Sequence, residues 1–89
     1  MKRQLLLCLA IISFLSNSGF AQKAKIAAAD KKYNSYAYID AIKTYERLAS
    51  KGYQSVEMFE KLGNAYYFNS DFEKAAQSYE KLYQLQSEL

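Results

Sequence analysis

The chain repeats itself at a fixed spacing, and that period constrains its fold more than any other feature. Tyr38, Ala41, Tyr45 and Leu48 recur as Phe72, Ala75, Tyr79 and Leu82. The text around them agrees, Tyr-Ile-Asp-Ala-Ile-Lys-Thr-Tyr-Glu-Arg-Leu against Phe-Glu-Lys-Ala-Ala-Gln-Ser-Tyr-Glu-Lys-Leu. Self-similarity at a constant period of about 34 residues is the mark of a chain built from one repeated supersecondary unit. Offsets of 3, 4 and 3 put each set of four on a single helical face. Alanine at the second place lets a neighbouring helix come close, and the flanking rings fill the wider space beside it.

A second helical pattern precedes the later set. Phe59, Leu62, Gly63 and Tyr66 again lie at helical spacing. Glycine inside a helix costs about 1 kcal/mol relative to alanine. Its presence implies a backbone pressed against the Ala75 or Tyr79 side of the next helix. Asn69-Ser70-Asp71 supplies turn and cap residues. Ser55 is a candidate N-cap, and Lys51-Gly52 a helix stop. The spacing predicts helices over about 23–35, 38–50, 55–68 and 72–85, joined by turns short enough to make antiparallel hairpins. The fold class is therefore all-α, two helix–turn–helix units.

Residues 1–21 have a different character. Lys2 and Arg3 precede an uncharged run from Leu5 to Leu15, which Ser16, Asn17, Ser18 and Gly19 break. Such a run is too short to span the roughly 30 Å hydrocarbon core of a bilayer as a helix. Charged start, short apolar core and small residues at Gly19 and Ala21 read as a secretory signal peptide cut before Gln22. Cys8 sits inside the apolar run, too early for a lipoprotein cleavage site, and reads as apolar filler. The product of such a cut has no cysteine. Two of the twelve Lys and Arg fall in the signal, which leaves ten against nine Asp and Glu, a net charge of +1. The basicity of the whole chain thus belongs to the leader and does not argue for nucleic acid. The chain divides into a signal peptide (1–21), a first unit (22–55) and a second (56–89).

Residues 56–89 resemble a tetratricopeptide repeat. Phe59 stands at that family's large aromatic position, Leu62-Gly63 at its Leu-Gly pair and Tyr66 at its first-helix tyrosine. Ala75, Tyr79 and Leu82 match the three positions of the second helix. Ser70 replaces the family's usual turn glycine, and Ser87 stands where a closing proline is common. The first unit matches in its second helix only, with Lys25, Ala28, Ala29 and Lys32 at the first-helix positions. The resemblance implies an α-solenoid segment that binds proteins. Leader, Ala/Lys-rich first helix and both repeats together also resemble the front of the OmpA-like outer-membrane proteins of the Bacteroidetes type. This resemblance implies the N-terminal part of a longer cell-envelope protein, exported to the periplasm or the periplasmic face of the outer membrane. The peptidoglycan-binding residues of that group have no counterpart in this sequence.

Chemistry finds few footholds. There is no histidine, so neither a Ser-His nor a Cys-His pair nor a histidine metal site can form. The carboxylates are spread along helices with lysines nearby and read as solvated faces and helix-start charges, with Glu57 and Lys61 facing solvent. No Gly-rich phosphate loop is present. The expectation is a non-enzyme without cofactor or metal, and without nucleic-acid or small-molecule ligand. The tetratricopeptide resemblance points to the concave surface formed by first helices, where Glu60, Asn64, Tyr67 and Phe68 would meet a protein or peptide segment of the cell envelope. Asn64 matches a position that often holds a ligand's backbone or carboxylate in that family. The last helix, with Tyr79, Leu82, Tyr83 and Leu85, would expose apolar surface. The alternative reading is accordingly a small structural protein that self-associates through this uncapped end.

Overall fold

A computed structural model describes residues 21–88. The expected signal peptide, Cys8 included, lies outside them apart from Ala21, and so does Leu89. Four helices and no strand occur among the described residues: α1 (21–34), α2 (Tyr38–Ser50), α3 (Val56–Phe68) and α4 (Phe72–Ser87). The all-α expectation holds. Each helix lies close to its predicted bounds, with α4 running on to Ser87.

The helix ends follow from local chemistry. Ser55 caps α3 by accepting from the Met58 amide at 3.0 Å, and Asp71 caps α4 by accepting from Lys74 at 3.3 Å. Ala37, which precedes α2, offers no such group. Three helices stop in the same way. At the end of α2, Gly52 bonds to Ala49 O and Tyr53 to Leu48 O, the paired bonds of a Schellman motif, with Gly52 at φ +95°. At the end of α1, Tyr36 bonds to Tyr33 O and Ala37 to Lys32 O; at the end of α3, Ser70 bonds to Tyr67 O and Asp71 to Tyr66 O. Those two left-handed positions are filled by Tyr36 (φ 65°) and Ser70 (φ 64°), neither of them glycine and one period apart.

One core joins the helices. Ala29 of α1, Ala41, Ile42, Tyr45 and Leu48 of α2, Met58, Phe59, Leu62, Ala65 and Tyr66 of α3, and Ala75 and Leu82 of α4 are buried together. Gly63 is buried because the Tyr79 ring occupies the space of a side chain. A Cβ built there would lie 2.6 Å from the ring. The α4 side expected to press on Gly63 does so, through the Tyr79 ring. Leu82 is 7% exposed and belongs to this core, so it does not form part of an open apolar end as expected; Tyr83, 67% exposed, does.

Contacts repeat along with the sequence. Tyr45 donates its hydroxyl to Asp30, and one period further on Tyr79 donates to Asn64. Tyr33 meets Tyr38 edge-on at 5.7 Å, and Tyr67 meets Phe72 edge-on at 5.4 Å. The hairpin α1–α2 and the hairpin α3–α4 are therefore built alike down to their polar bonds. α2 has helices on two sides, α1 and α3, whereas α4 packs on α3.

Candidate binding site

The four residues expected to meet a partner share one face of α3, at spacings of four, three and one. Glu60 is exposed. Tyr67 is 54% and Phe68 57% exposed. Asn64 is half-buried and committed inside the protein. Its amide nitrogen donates to the Tyr33 hydroxyl at 3.2 Å, and its oxygen accepts from Tyr79. It thus ties α1, α3 and α4 together, with one remaining amide hydrogen and one lone pair for anything else. Lys61, which the sequence places toward solvent, reaches back to α1 and pairs with Asp30 at 3.2 Å. Both partners are about one-third exposed, a setting in which such pairs contribute at most about 1 kcal/mol.

Rings run from this face across the turn end of the fold. Tyr36 packs edge-on against Tyr38 at 6.2 Å. Tyr38 stacks on Phe68 at 5.2 Å, Phe68 meets Tyr67 at 5.9 Å, and Tyr67 meets Phe72 at 5.4 Å. Tyr36, Ile39, Tyr67, Phe68 and Phe72 are each more than half exposed. Edge-on and offset contacts between rings contribute about 0.5–1.5 kcal/mol beyond area burial. The row is therefore held in place by its own members while one side of most rings stays wet. Sequence reading finds Tyr67 and Phe68 but misses Tyr36, Ile39 and Phe72. Their helix-start and turn positions give no reason to place them beside α3. The correspondence of Tyr38 with Phe72 across the repeat is the available signal.

A cleft of about 370 Å³ lies between α2 and α4, walled by Glu46, Ser50, Tyr66, Lys74, Ser78 and Lys81. The Tyr66 hydroxyl is buried with no hydrogen-bond partner among the described residues, while the Lys74 ammonium stands 5.7 Å from its ring centre. Burial raises the pKa values of Tyr45 and Tyr79 above the ordinary tyrosine value, and in Tyr45 the bond to Asp30 and that carboxylate's charge add to it. No cluster of three or more potential metal ligands exists among the described residues, and none of their helices is long and apolar enough to cross a membrane.

The chain matches no family model, no curated protein and no solved structure.

Proposed function

We propose that the chain is a protein-interaction module of the tetratricopeptide kind. In this reading it is exported to the periplasm or the periplasmic face of the outer membrane, as the N-terminal segment of an OmpA-like cell-envelope protein. Its work is to hold a protein or peptide segment, not to catalyse. The observation that carries the reading is the fixed row of half-wet rings, with Tyr67 and Phe68 at its centre. Rigid aromatic side chains give up little conformational entropy on binding and dominate the energetics of many interfaces. The sequence period, the small residue at Gly63 under Tyr79 and the matched polar bonds support the repeat assignment.

Photo-crosslinking in the cell tests it. A photoreactive residue in place of Glu60, exposed and without a side-chain hydrogen bond or ion pair among the described residues, should capture a discrete envelope protein. Capture should fail when Tyr67 and Phe68 are both replaced by Ser. Crosslinks confined to cytoplasmic proteins, or indifferent to the two rings, would refute the reading. N-terminal sequencing of the exported product should begin at Gln22.

A further inference from the structure

The two hairpins differ chiefly in what lies on their outer side. Tyr38, Ile42, Tyr45 and Ala49 of α2 translate by one period onto Phe72, Ala76, Tyr79 and Tyr83 of α4. In α2, Tyr45 is wholly buried, Ile42 is buried, and Tyr38 and Ala49 are half-covered. In α4, Phe72 and Tyr83 are 60% and 67% exposed, Ala76 is exposed and Tyr79 is half-covered. Ala76, Tyr79 and Tyr83 line a shallow open groove. The helix that makes the difference is α3, which lies over α2.

Three side chains carry α3 back onto the preceding hairpin. Lys61 pairs with Asp30, Asn64 donates to Tyr33, and Phe68 stacks on Tyr38. The three receiving residues recur as Asn64, Tyr67 and Phe72, each held as its counterpart is. Tyr79 fixes Asn64 as Tyr45 fixes Asp30, and Tyr67 stands edge-on to Phe72 as Tyr33 stands to Tyr38.

We propose that the open side of α4, together with Tyr67 and Phe72, is a docking groove for an amphipathic helix of a partner protein. That helix presents a hydrogen-bond donor, an Asn and a Phe at positions i, i+3 and i+7, the spacing of Lys61, Asn64 and Phe68. The groove continues the α2–α3 interface by one period and takes an occupant of the same chemistry. This rests on the reading of the chain as an interaction module; it extends the ring surface onto α4 and adds a partner pattern to it.

A second copy of the chain is the wrong occupant. Its helix with an outer face is α1, whose residues at the positions of Lys61, Asn64 and Phe68 are Ala27, Asp30 and Asn34. Of the α3 positions that are buried, only that of Gly63 has a buried counterpart in α1, Ala29. Ala24, Lys25, Ala28, Lys31 and Lys32 fill the rest and are exposed. Docking α1 on α4 would put Lys31 where Ala65 is buried, and would leave Phe72 without a ring.

The probe is a synthetic peptide with the sequence of residues 55–70, titrated into the whole chain and followed by amide NMR shifts. The expected result is saturable binding, with shifts centred on Phe72, Ala76 and Tyr83. Phe68→Ala in the peptide, or Tyr83→Lys in the chain, should each weaken it by about tenfold or more, the loss typical of a central anchor. Tyr83 is 67% exposed and stands outside the buried core, so Y83K keeps the fold, which its helical signal verifies. No shift on α4 at millimolar peptide, or binding indifferent to both substitutions, overturns the proposal. So does a dimer in sedimentation that Y83K dissolves, which would make the second copy the occupant. A photoreactive residue at Gln84, exposed on the rim of the groove, separates the two readings. Capture from Glu60 but not from Gln84 leaves the interaction module standing and removes the α4 groove.

Discussion

Tyr79 donates its hydroxyl to the side-chain oxygen of Asn64, and one period earlier Tyr45 does the same to Asp30. The bond crosses from the second helix of each hairpin to the first and fixes their register. A hydrogen bond of this kind contributes about 0.5–1.5 kcal/mol net, and leaving one partner buried and unsatisfied costs more. Asn64→Ala strips the partner from two tyrosines at once, so it should destabilise by about 2 kcal/mol or more. Tyr79→Phe should cost about 1 kcal/mol. Tyr66→Phe supplies the contrast. Its hydroxyl is buried without a partner, so its removal should be neutral or stabilising by up to about 1 kcal/mol. Urea unfolding of the three variants checks the order, and equal losses for Tyr79→Phe and Tyr66→Phe would contradict it.

Gly63→Ala sets two effects against each other. Alanine gains about 1 kcal/mol of helix propensity. Its Cβ, however, would stand 2.6 Å and 2.8 Å from two carbons of the Tyr79 ring. The ring cannot turn away cheaply, because its hydroxyl is tied to Asn64. Overpacking of this sort costs about 1–3 kcal/mol, so the net expectation is a loss of about 1 kcal/mol. With Tyr79→Ala already in place the clash is gone, and Gly63→Ala should then stabilise. A double-mutant cycle reads the sign change directly. The same sign in both backgrounds would show that the ring is not what excludes the methyl group.

Tyr36 and Ser70 hold left-handed conformations at two of the three Schellman stops. That conformation costs an L-residue about 1–2 kcal/mol, and glycine avoids most of it while losing more entropy on folding. Ser70→Gly should therefore raise stability by about 0.5–1 kcal/mol. Tyr36→Gly should gain less, since it also removes the ring that packs on Tyr38. Thermal melts of the two variants would decide it, with a fall in Tm for Ser70→Gly as the contrary result.

What can be read in advance is whatever local chemistry sets. Ser55 as a cap, Gly52 as a stop and the faces of α2 and α3 follow from residue type and helical spacing, and each stands where expected. Long polar side chains are harder. Lys61 reads as solvent-facing because periodicity records where a Cα points and says nothing of where four methylenes and an ammonium reach. Asn64 is expected at a ligand, and its amide also bonds at both ends to Tyr33 and Tyr79. Those partners are 31 and 15 residues away and become neighbours only once three helices have packed. Leu82 is expected at an open end, yet the helix turns it toward α3 and presents Tyr83 outward.

Alkaline pH should loosen the fold through Tyr45. This side chain is fully buried, its hydroxyl donates to Asp30, and burial first and that carboxylate second push its pKa well above the ordinary value near 10. A pKa raised by folding means that the folded state keeps a proton which the unfolded chain gives up. The associated stability is thus complete below the unfolded value, about pH 10, and declines as pH rises toward the folded one. For one such group the decline is about 1.4 kcal/mol per pH unit between the two values. Tyr79 is shifted in the same direction, mainly by burial, and steepens the fall. Unfolding free energies measured from pH 7 to 11 should be flat at first and drop above about 10. Tyr45→Phe should begin about 1 kcal/mol lower at neutral pH and then fall less steeply. Parallel curves for the two proteins would mean that Tyr45 ionises as readily folded as unfolded, and that its bond to Asp30 does not hold in solution.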